Sequence, residues 1–132
     1  MSQDNAQIAR DSVDRFASGD LTGLADLYAP NITIVAPPGW PEGGRFEGRV
    51  AVMAQLRRVQ EDWAEQTMEI AREKAEGDWV VHEILWTVRG AGSGVSSQVT
   101  VIAAFRVERE RIAEILYFWE WRDALKAVGL AE

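Results

Sequence analysis

Trp79-Val80-Val81-His82-Glu83-Ile84-Leu85-Trp86-Thr87-Val88-Arg89, then residues 95–108 (VSSQVTVIAAFRVE), then residues 111–122 (RIAEILYFWEWR), decide the fold. Each segment is dense in β-branched and aromatic side chains, which fit a pleated, partly buried surface, so each reads as a strand. Four of the six tryptophans (Trp79, Trp86, Trp119, Trp121) and the single histidine, His82, lie in them. The first two strands are joined by GAGSG, residues 90–94, which tolerates positive φ almost anywhere. The last two are joined by the charged turn Glu108-Arg109-Glu110-Arg111. All three exceed the ordinary strand of ~5–6 residues. A long antiparallel sheet twists and curls, so it makes a concave face that the rest of the chain must cover.

Working outward, the 132 residues suit one domain with a sizeable core. A formal charge of −7 and a pI near 4.8 argue against nucleic acid or an anionic membrane as partner, because both need a basic face. There is no cysteine, hence no disulfide, thiolate nucleophile or thiolate metal site. One histidine without clustered acids predicts no metal site, and no cofactor motif is present. No apolar run approaches ~18 residues and MSQDNAQ is not a signal peptide, so a cytoplasmic protein is expected.

Upstream of the strands, Ala9, Val13, Phe16 and Ala17 share one helical face over residues 4–18, with Asp4 and Gln7 as a capping pair. Asp20 caps a second, shorter helix carrying Leu21, Leu24, Leu27 and Tyr28, which Pro30 stops. Residues 31–36 (NITIVA) predict a strand and residues 37–44 (PPGWPEGG) a loop. From Arg49, the positions Val52, Met53, Leu56, Val59 and Trp63 mark a third helix to about residue 65. Residues 67–75 then form a strand, and residues 124–130 a helical tail ending at Gly129. The order is helix, helix, strand, helix, then four antiparallel strands, which predicts an α+β domain with helices on one sheet face.

Phe16-Ala17-Ser18-Gly19-Asp20, Leu27-Tyr28-Ala29-Pro30-Asn31, Phe46-Glu47-Gly48-Arg49, Val80-Val81, Ser93-Gly94 and the tail from Ala124 to Leu130 carry a resemblance. The chain resembles the SnoaL-like family of the nuclear transport factor 2-like superfamily over nearly its whole length. The resemblance implies a cone-shaped α+β fold: a curved mixed sheet packed against about three helices, enclosing a pocket and commonly dimeric. Members include isomerases, cyclases, dehydratases, epoxide hydrolases and proteins without known reaction, so fold alone does not choose an activity. Positions matching the acid/base residues of ketosteroid isomerase hold Ser12, Ala36 and Ala103, and those matching limonene epoxide hydrolase hold Leu85, Thr87 and Tyr117. Neither mechanism is matched.

The same register assigns faces, since side chains alternate along a strand. It turns Val81, Glu83, Leu85 and Thr87 toward the pocket, with Val99, Val101, Ala103 and Phe105, then Ile115, Tyr117, Trp119 and Trp121. It turns Val80, His82, Ile84, Trp86, Ile102, Leu116 and Phe118 outward, an apolar face that predicts a homodimer packed sheet to sheet. A carboxylate among Val, Leu and Trp must be paired or neutral. Glu83 is therefore the candidate acid/base for an isomerase, cyclase or dehydratase-type reaction, with Tyr117 as hydrogen-bond donor. The competing reading pairs Glu83 with Arg72, Arg89 or a backbone donor. His82 is a second candidate base, brought inside by a one-residue slip. Phe16, Tyr28, Trp40, Trp63, Leu85, Thr87, Val101, Phe105, Trp119 and Trp121 are the candidate lining for a small hydrophobic ring compound, with Trp40 as a lid. The alternative is a non-catalytic binding module, whose cavity has only neutral polar groups, or a structural dimer whose cavity tryptophan fills.

Overall fold

A computed structural model of the chain describes residues 2–40, 44–90 and 92–131, without the side chains of residues 2–4. The element order is α1 (Ser2–Ser18), α2 (Leu21–Leu27), β1 (Tyr28–Ala36), β2 (Gly44–Glu47), α3 (Arg49–Glu61), β3 (Trp63–Glu76), β4 (Trp79–Gly90), β5 (Ser96–Glu108), β6 (Arg111–Phe118) and α4 (Trp121–Val128). The strands form one six-stranded sheet in the order β2-β1-β6-β5-β4-β3. β3 to β6 are an antiparallel meander, β1 joins β6 in parallel, and β2 lies antiparallel on β1. The expected curved mixed sheet of an α+β cone is the architecture found, with four helices instead of about three.

Several boundaries differ from the sequence reading. Pro30 lies inside β1 and Tyr28 opens that strand instead of closing a helix. Asp20 does cap α2, its Oδ1 accepting from Gly23 N–H at 2.9 Å. The capping pair proposed at Asp4 lies outside the described side chains, and residues 41–43 of the Pro/Gly loop lie outside the described residues. Short β2 follows that loop, and its four residues, with Phe46 the one apolar side chain, were too few to reveal it. Trp63 starts β3 and does not end α3, and the last segment stops as a strand at Phe118, so Trp121 opens α4. Gly129 ends that helix at φ 77°, a left-handed conformation that glycine adopts without Cβ strain.

α1, α2 and α3 cover the inner face of the sheet. Ala9, Val13, Phe16, Leu24, Val52, Leu56 and Val59 pack there against Ile34, Val80, Ile84, Trp86, Val101, Phe105 and Ile115. α4 takes the opposite face, where Ala124 and Leu125 bury Val81, Ile102 and Ala104.

The β4 faces are the reverse of those expected. β4 pairs β5 through Val80↔Phe105, His82↔Ala103, Ile84↔Val101 and Trp86↔Val99, so even positions of β4 share a face with odd positions of β5. Val80, His82, Ile84 and Trp86 therefore face inward, and Val81, Glu83, Leu85 and Thr87 face outward. The dimer surface assigned to Val80, Ile84 and Trp86 is corrected accordingly, because all three are buried beneath the helices. α1 to α3 cover the inner face of β4 and α4 covers the outer face at Val81, so apolar side chains stand on both sides of the strand's first half and alternation there carries no sign.

A β-bulge in β3 between Ile70 and Arg72 adds a second change of face. Before it, Gln66, Met68 and Ile70 pair with the inward residues Val88, Trp86 and Ile84; after it, Glu73 pairs with inward His82. Bulges re-aim side chains in this way.

Candidate functional site

Between the concave face and the helices lies a cavity. α1 contributes Ser12, Val13 and Phe16, α3 contributes Gln55, Leu56 and Val59, and Tyr28 and Trp40 come from β1 and the loop after it. The sheet contributes Met68, Ile84, Trp86, Val101, Ala103, Phe105 and Tyr117. No charged side chain is among these residues. The open space is about 60 Å³, well below the ~150 Å³ of a dry cavity that admits benzene. A wider polar groove of about 340 Å³ lies beside it, bounded by Ala17, Ser18, Gly19, Gln60 and residues 63–66. The apolar cavity is the better candidate, since small-molecule sites are concave and mostly apolar.

Trp40 closes one side. Its ring stacks on Tyr117 with centroids 4.6 Å apart and planes inclined by 23°, and lies 4.9 Å from the Trp119 ring. Trp119 Nε1–H donates to Pro38 O at 3.4 Å, so the aromatic cluster is tied to the Pro/Gly loop. Tyr117 and Tyr28 bring the hydroxyls. Burial pushes the Tyr117 phenol up to about 12, and burial, with a smaller effect from Tyr117, holds Tyr28 well above its ordinary range. Both are thus neutral donors at physiological pH.

The remaining polar atoms are mostly tied. Ser12 Oγ–H donates to Ala9 O at 2.7 Å, and Trp86 Nε1–H to Gln66 Oε1 at 2.9 Å. Gln55, buried at 3% exposure, has an Oε1 without a hydrogen-bond partner among the described residues.

His82 is fully buried beside the cavity, edge-on to Phe105 with ring centroids 5.2 Å apart. Its Nε2–H donates to Glu73 Oε2 at 2.8 Å, and Arg10 of α1 binds both oxygens of that carboxylate at 2.9 and 2.5 Å. His82 Nδ1 has no partner among the described residues. Burial lowers the imidazole below its ordinary pKa against the pull of Glu73, so the ring is neutral. The hydrogen bond from Arg10 comes first in holding Glu73 below the usual carboxylate range.

Of the candidate lining, Phe16, Tyr28, Trp40, Val101 and Phe105 meet at this cavity with Tyr117. Glu83, Leu85 and Thr87 lie across the sheet. Glu83 faces Arg72 at 3.4 Å, the competing reading of that carboxylate, and Thr87 accepts from Gln98 Nε2–H at 3.1 Å. The assignment of Glu83 to the pocket is thus corrected by the register of β4. Trp121 is also on the outer side, its ring 4.5 Å beneath the Arg72 guanidinium. Trp119 is 39% exposed at the mouth, and Trp63 lines the polar groove, meeting Trp86 edge-on at 6.1 Å. Ser12, Gln55, Ile84 and Trp86 were missed as lining. Ser12 lies three positions after Ala9 and four before Phe16 on α1, and Gln55 three after Val52 and four before Val59 on α3, so helical spacing could have found both. With β4 in its observed register, the cavity positions Ile84 and Trp86 supply neither acid nor base. Among the described residues no group of three or more His, Asp or Glu converges as metal ligands, and no helix is long and apolar enough to cross a membrane.

The SnoaL-like domain model matches residues 9–115. The chain belongs to the SnoaL-like family. No curated protein sequence matches it. Among solved structures, the protein Bal32a from a soil-derived mobile gene cassette superposes with a TM-score of 0.80 at 20% identity, covering 96% of each chain. An NTF2-like protein of unknown function from Burkholderia pseudomallei K96243 gives 0.78 at 23% identity, covering 93% of this chain and 95% of that one. TerC, co-crystallised with polyporic acid, gives 0.78 at 16% identity over 96% and 98%. At these identities the SnoaL-like chain shares its fold with them, and the fold leaves the reaction open.

Proposed function

We propose that this SnoaL-like chain binds a small, mainly apolar ring compound in the cavity, oriented by the Tyr28 and Tyr117 hydroxyls. The observation that carries the reading is a lining of apolar and aromatic side chains whose only polar groups are neutral. It favours a binding module over chemistry led by Glu83, whose carboxylate lies across the sheet. The polyporic acid bound by a protein of the same fold is a ring compound, which agrees with this class. Because the cavity holds about 60 Å³, a ring needs more room than the structure leaves, and Trp40 swinging away from Tyr117 is the movement we propose to supply it. Titration with single-ring and fused-ring compounds is expected to change tryptophan fluorescence and raise Tm by mass action. Ala103→Val, which fills the cavity floor, is expected to abolish both responses while the protein stays folded. Indifference of the wild type to the whole panel would set the reading aside.

A second reading is acid/base catalysis by His82. Its support is the oriented imidazole, held through Nε2 by Glu73 with Nδ1 unpartnered. Proton NMR of the ligands from the same panel decides it: turnover lost in His82→Gln supports catalysis, and unchanged ligand spectra with the wild type discard it.

For assembly, the outer face carries half-buried Leu116 and Phe118 at the margin of the α4 cluster and half-buried Leu85 beside exposed Gln98 and Thr100, which supports pairing with a second copy. A stable pair would bury well over ~1,200 Å². Phe118→Glu is expected to lower the sedimentation coefficient, and a wild type that sediments as a monomer at micromolar concentration excludes the dimer.

A further inference from the structure

Gln55 is an odd residue for its place. Its neighbours on the buried side of α3 are Val52, Met53, Leu56 and Val59, and a methionine or leucine would fill the same volume without a polar atom. Instead the side chain brings a carbonyl oxygen into an apolar cavity wall. Ser12 Oγ–H and Trp86 Nε1–H, the donors of the same lining with assigned partners, are committed to Ala9 O and Gln66 Oε1. Gln55 Oε1 has no partner among the described residues, and the side chain is 3% exposed. A buried acceptor left alone forfeits the hydration it had in the unfolded chain, whereas the same acceptor met by a donor recovers it. Such a group discriminates strongly between ligands that complete the bond and ligands that cannot.

We propose that Gln55 is the specificity-determining residue of the cavity, and that its ligand is a hydroxylated aromatic ring, a phenol or an aryl alcohol, whose O–H donates to Gln55 Oε1. This rests on the cavity-binding reading above and narrows it. The ring body follows from Phe16, Trp40, Trp86, Phe105 and Tyr117, which offer aromatic faces and edges. A hydroxyl rather than an ammonium or a ketone follows from the rest of the polar set. The Tyr28 and Tyr117 hydroxyls are protonated, so a ligand oxygen that donates to Gln55 can accept from one of them in turn. A ketone has no proton for Gln55. An ammonium would need a carboxylate, and none lines the cavity.

The test compares 4-methylphenol with 4-fluorotoluene, which has nearly the same shape, carries no donor and is the more apolar of the two. Burial alone therefore favours the fluorinated probe, and a preference for the phenol isolates the hydrogen bond. By calorimetry on the wild type, 4-methylphenol is expected to bind roughly five- to tenfold more tightly, the net worth of one neutral hydrogen bond. In Gln55→Met that preference is expected to shrink by about the same factor, leaving what the tyrosine hydroxyls contribute. Should that variant fold poorly, the wild type gives a second readout: the side-chain amide signals of Gln55 in nitrogen-15 NMR are expected to move with 4-methylphenol and not with 4-fluorotoluene. Equal affinities in the wild type, or a phenol preference undiminished in Gln55→Met, overturn the role of Gln55 and leave cavity binding intact. Binding of neither probe overturns both.

Discussion

Trp40 and Tyr117 lie nearly face to face, 4.6 Å between ring centroids, although one belongs to a Pro/Gly loop and the other to the sixth strand. The contact joins Trp40, just after β1, to Tyr117 on the sheet that floors the cavity. Gly39, at φ 87°, precedes Trp40 and lets the chain turn so that the indole points inward. A stacked aromatic pair contributes about 0.5–1.5 kcal/mol beyond its buried area, small enough for thermal opening on the way to binding.

Replacing Trp40 by alanine should therefore act on entry more than on the fold. Expected are a stability loss of about 1–2 kcal/mol from the lost stack and its burial, and faster association of ring compounds in stopped-flow fluorescence. An association rate equal to that of the wild type would show that Trp40 is not the barrier.

Acid should weaken the fold in two steps through the Arg10–Glu73–His82 chain. Buried His82 holds its pKa below the ordinary value, so the unfolded chain takes up a proton near pH 6.5 that the native chain refuses. The unfolded state then binds more protons, and stability falls as pH drops below about 6.5. Glu73 is held below its ordinary range by Arg10, so its contribution is complete above the unfolded carboxylate value of ~4.3 and is lost as pH falls through the lower native one. The urea midpoint is expected to be level between pH 8 and 7 and to fall between 6.5 and 5. His82→Gln should remove the first step and keep the second. Equal wild-type midpoints at pH 7 and 5 would contradict this assignment.

Glu73→Ala tests the same chain from the other side. It leaves the His82 Nε2–H without its acceptor inside the protein and releases Arg10 from α1 to solvent. A buried donor so orphaned costs about 1–3 kcal/mol, expected as a drop in urea midpoint with unchanged slope. Arg10→Ala should cost less, because Arg10 is exposed and exposed ion pairs are worth ~0–1 kcal/mol. The reverse ranking would mean that the carboxylate serves α1 docking and not His82.

The fold and the element order apart from β2 were legible because long β-rich runs, turn glycines and the helix caps at Asp20 and Gly129 are local signals. The candidate site was legible on β5 and β6, where Val101, Ala103, Phe105 and Tyr117 face the cavity as their alternation implied. It failed on β4 for a nonlocal reason. α4 covers Val81 from outside while α1 covers Val80 from inside, so both parities of this strand are apolar. What sets the face is the pairing Arg89↔Ser96 across the glycine loop, which composition does not encode. The bulge between Ile70 and Arg72 hid Glu73 similarly: strict alternation from Met68 and Ile70 would put it outside, away from His82.

The turn at Arg109-Glu110 is the place where sequence and backbone conflict most openly. It joins β5 to β6 with Glu108 paired to Arg111, leaving two residues to reverse the chain. Arg109 has φ 52° and Glu110 φ 65°, the doubly left-handed turn that matches the twist of a two-residue hairpin. That geometry favours Asn-Gly, and L-residues with longer side chains pay roughly 1–2 kcal/mol for each left-handed position. Replacing Arg109-Glu110 by Asn-Gly removes this strain without touching the core, while the Arg106–Glu108 and Arg106–Glu114 pairs at 2.9 and 3.1 Å stay in place. Part of the gain is offset because glycine also loosens the unfolded chain. The net expectation is about 1–2 kcal/mol of added stability, read as a higher urea midpoint with unchanged slope. Glu110→Val should move the midpoint the other way, because a β-branched residue tolerates positive φ worst. A double variant no more stable than the wild type would mean that the hairpin reverses through a different turn.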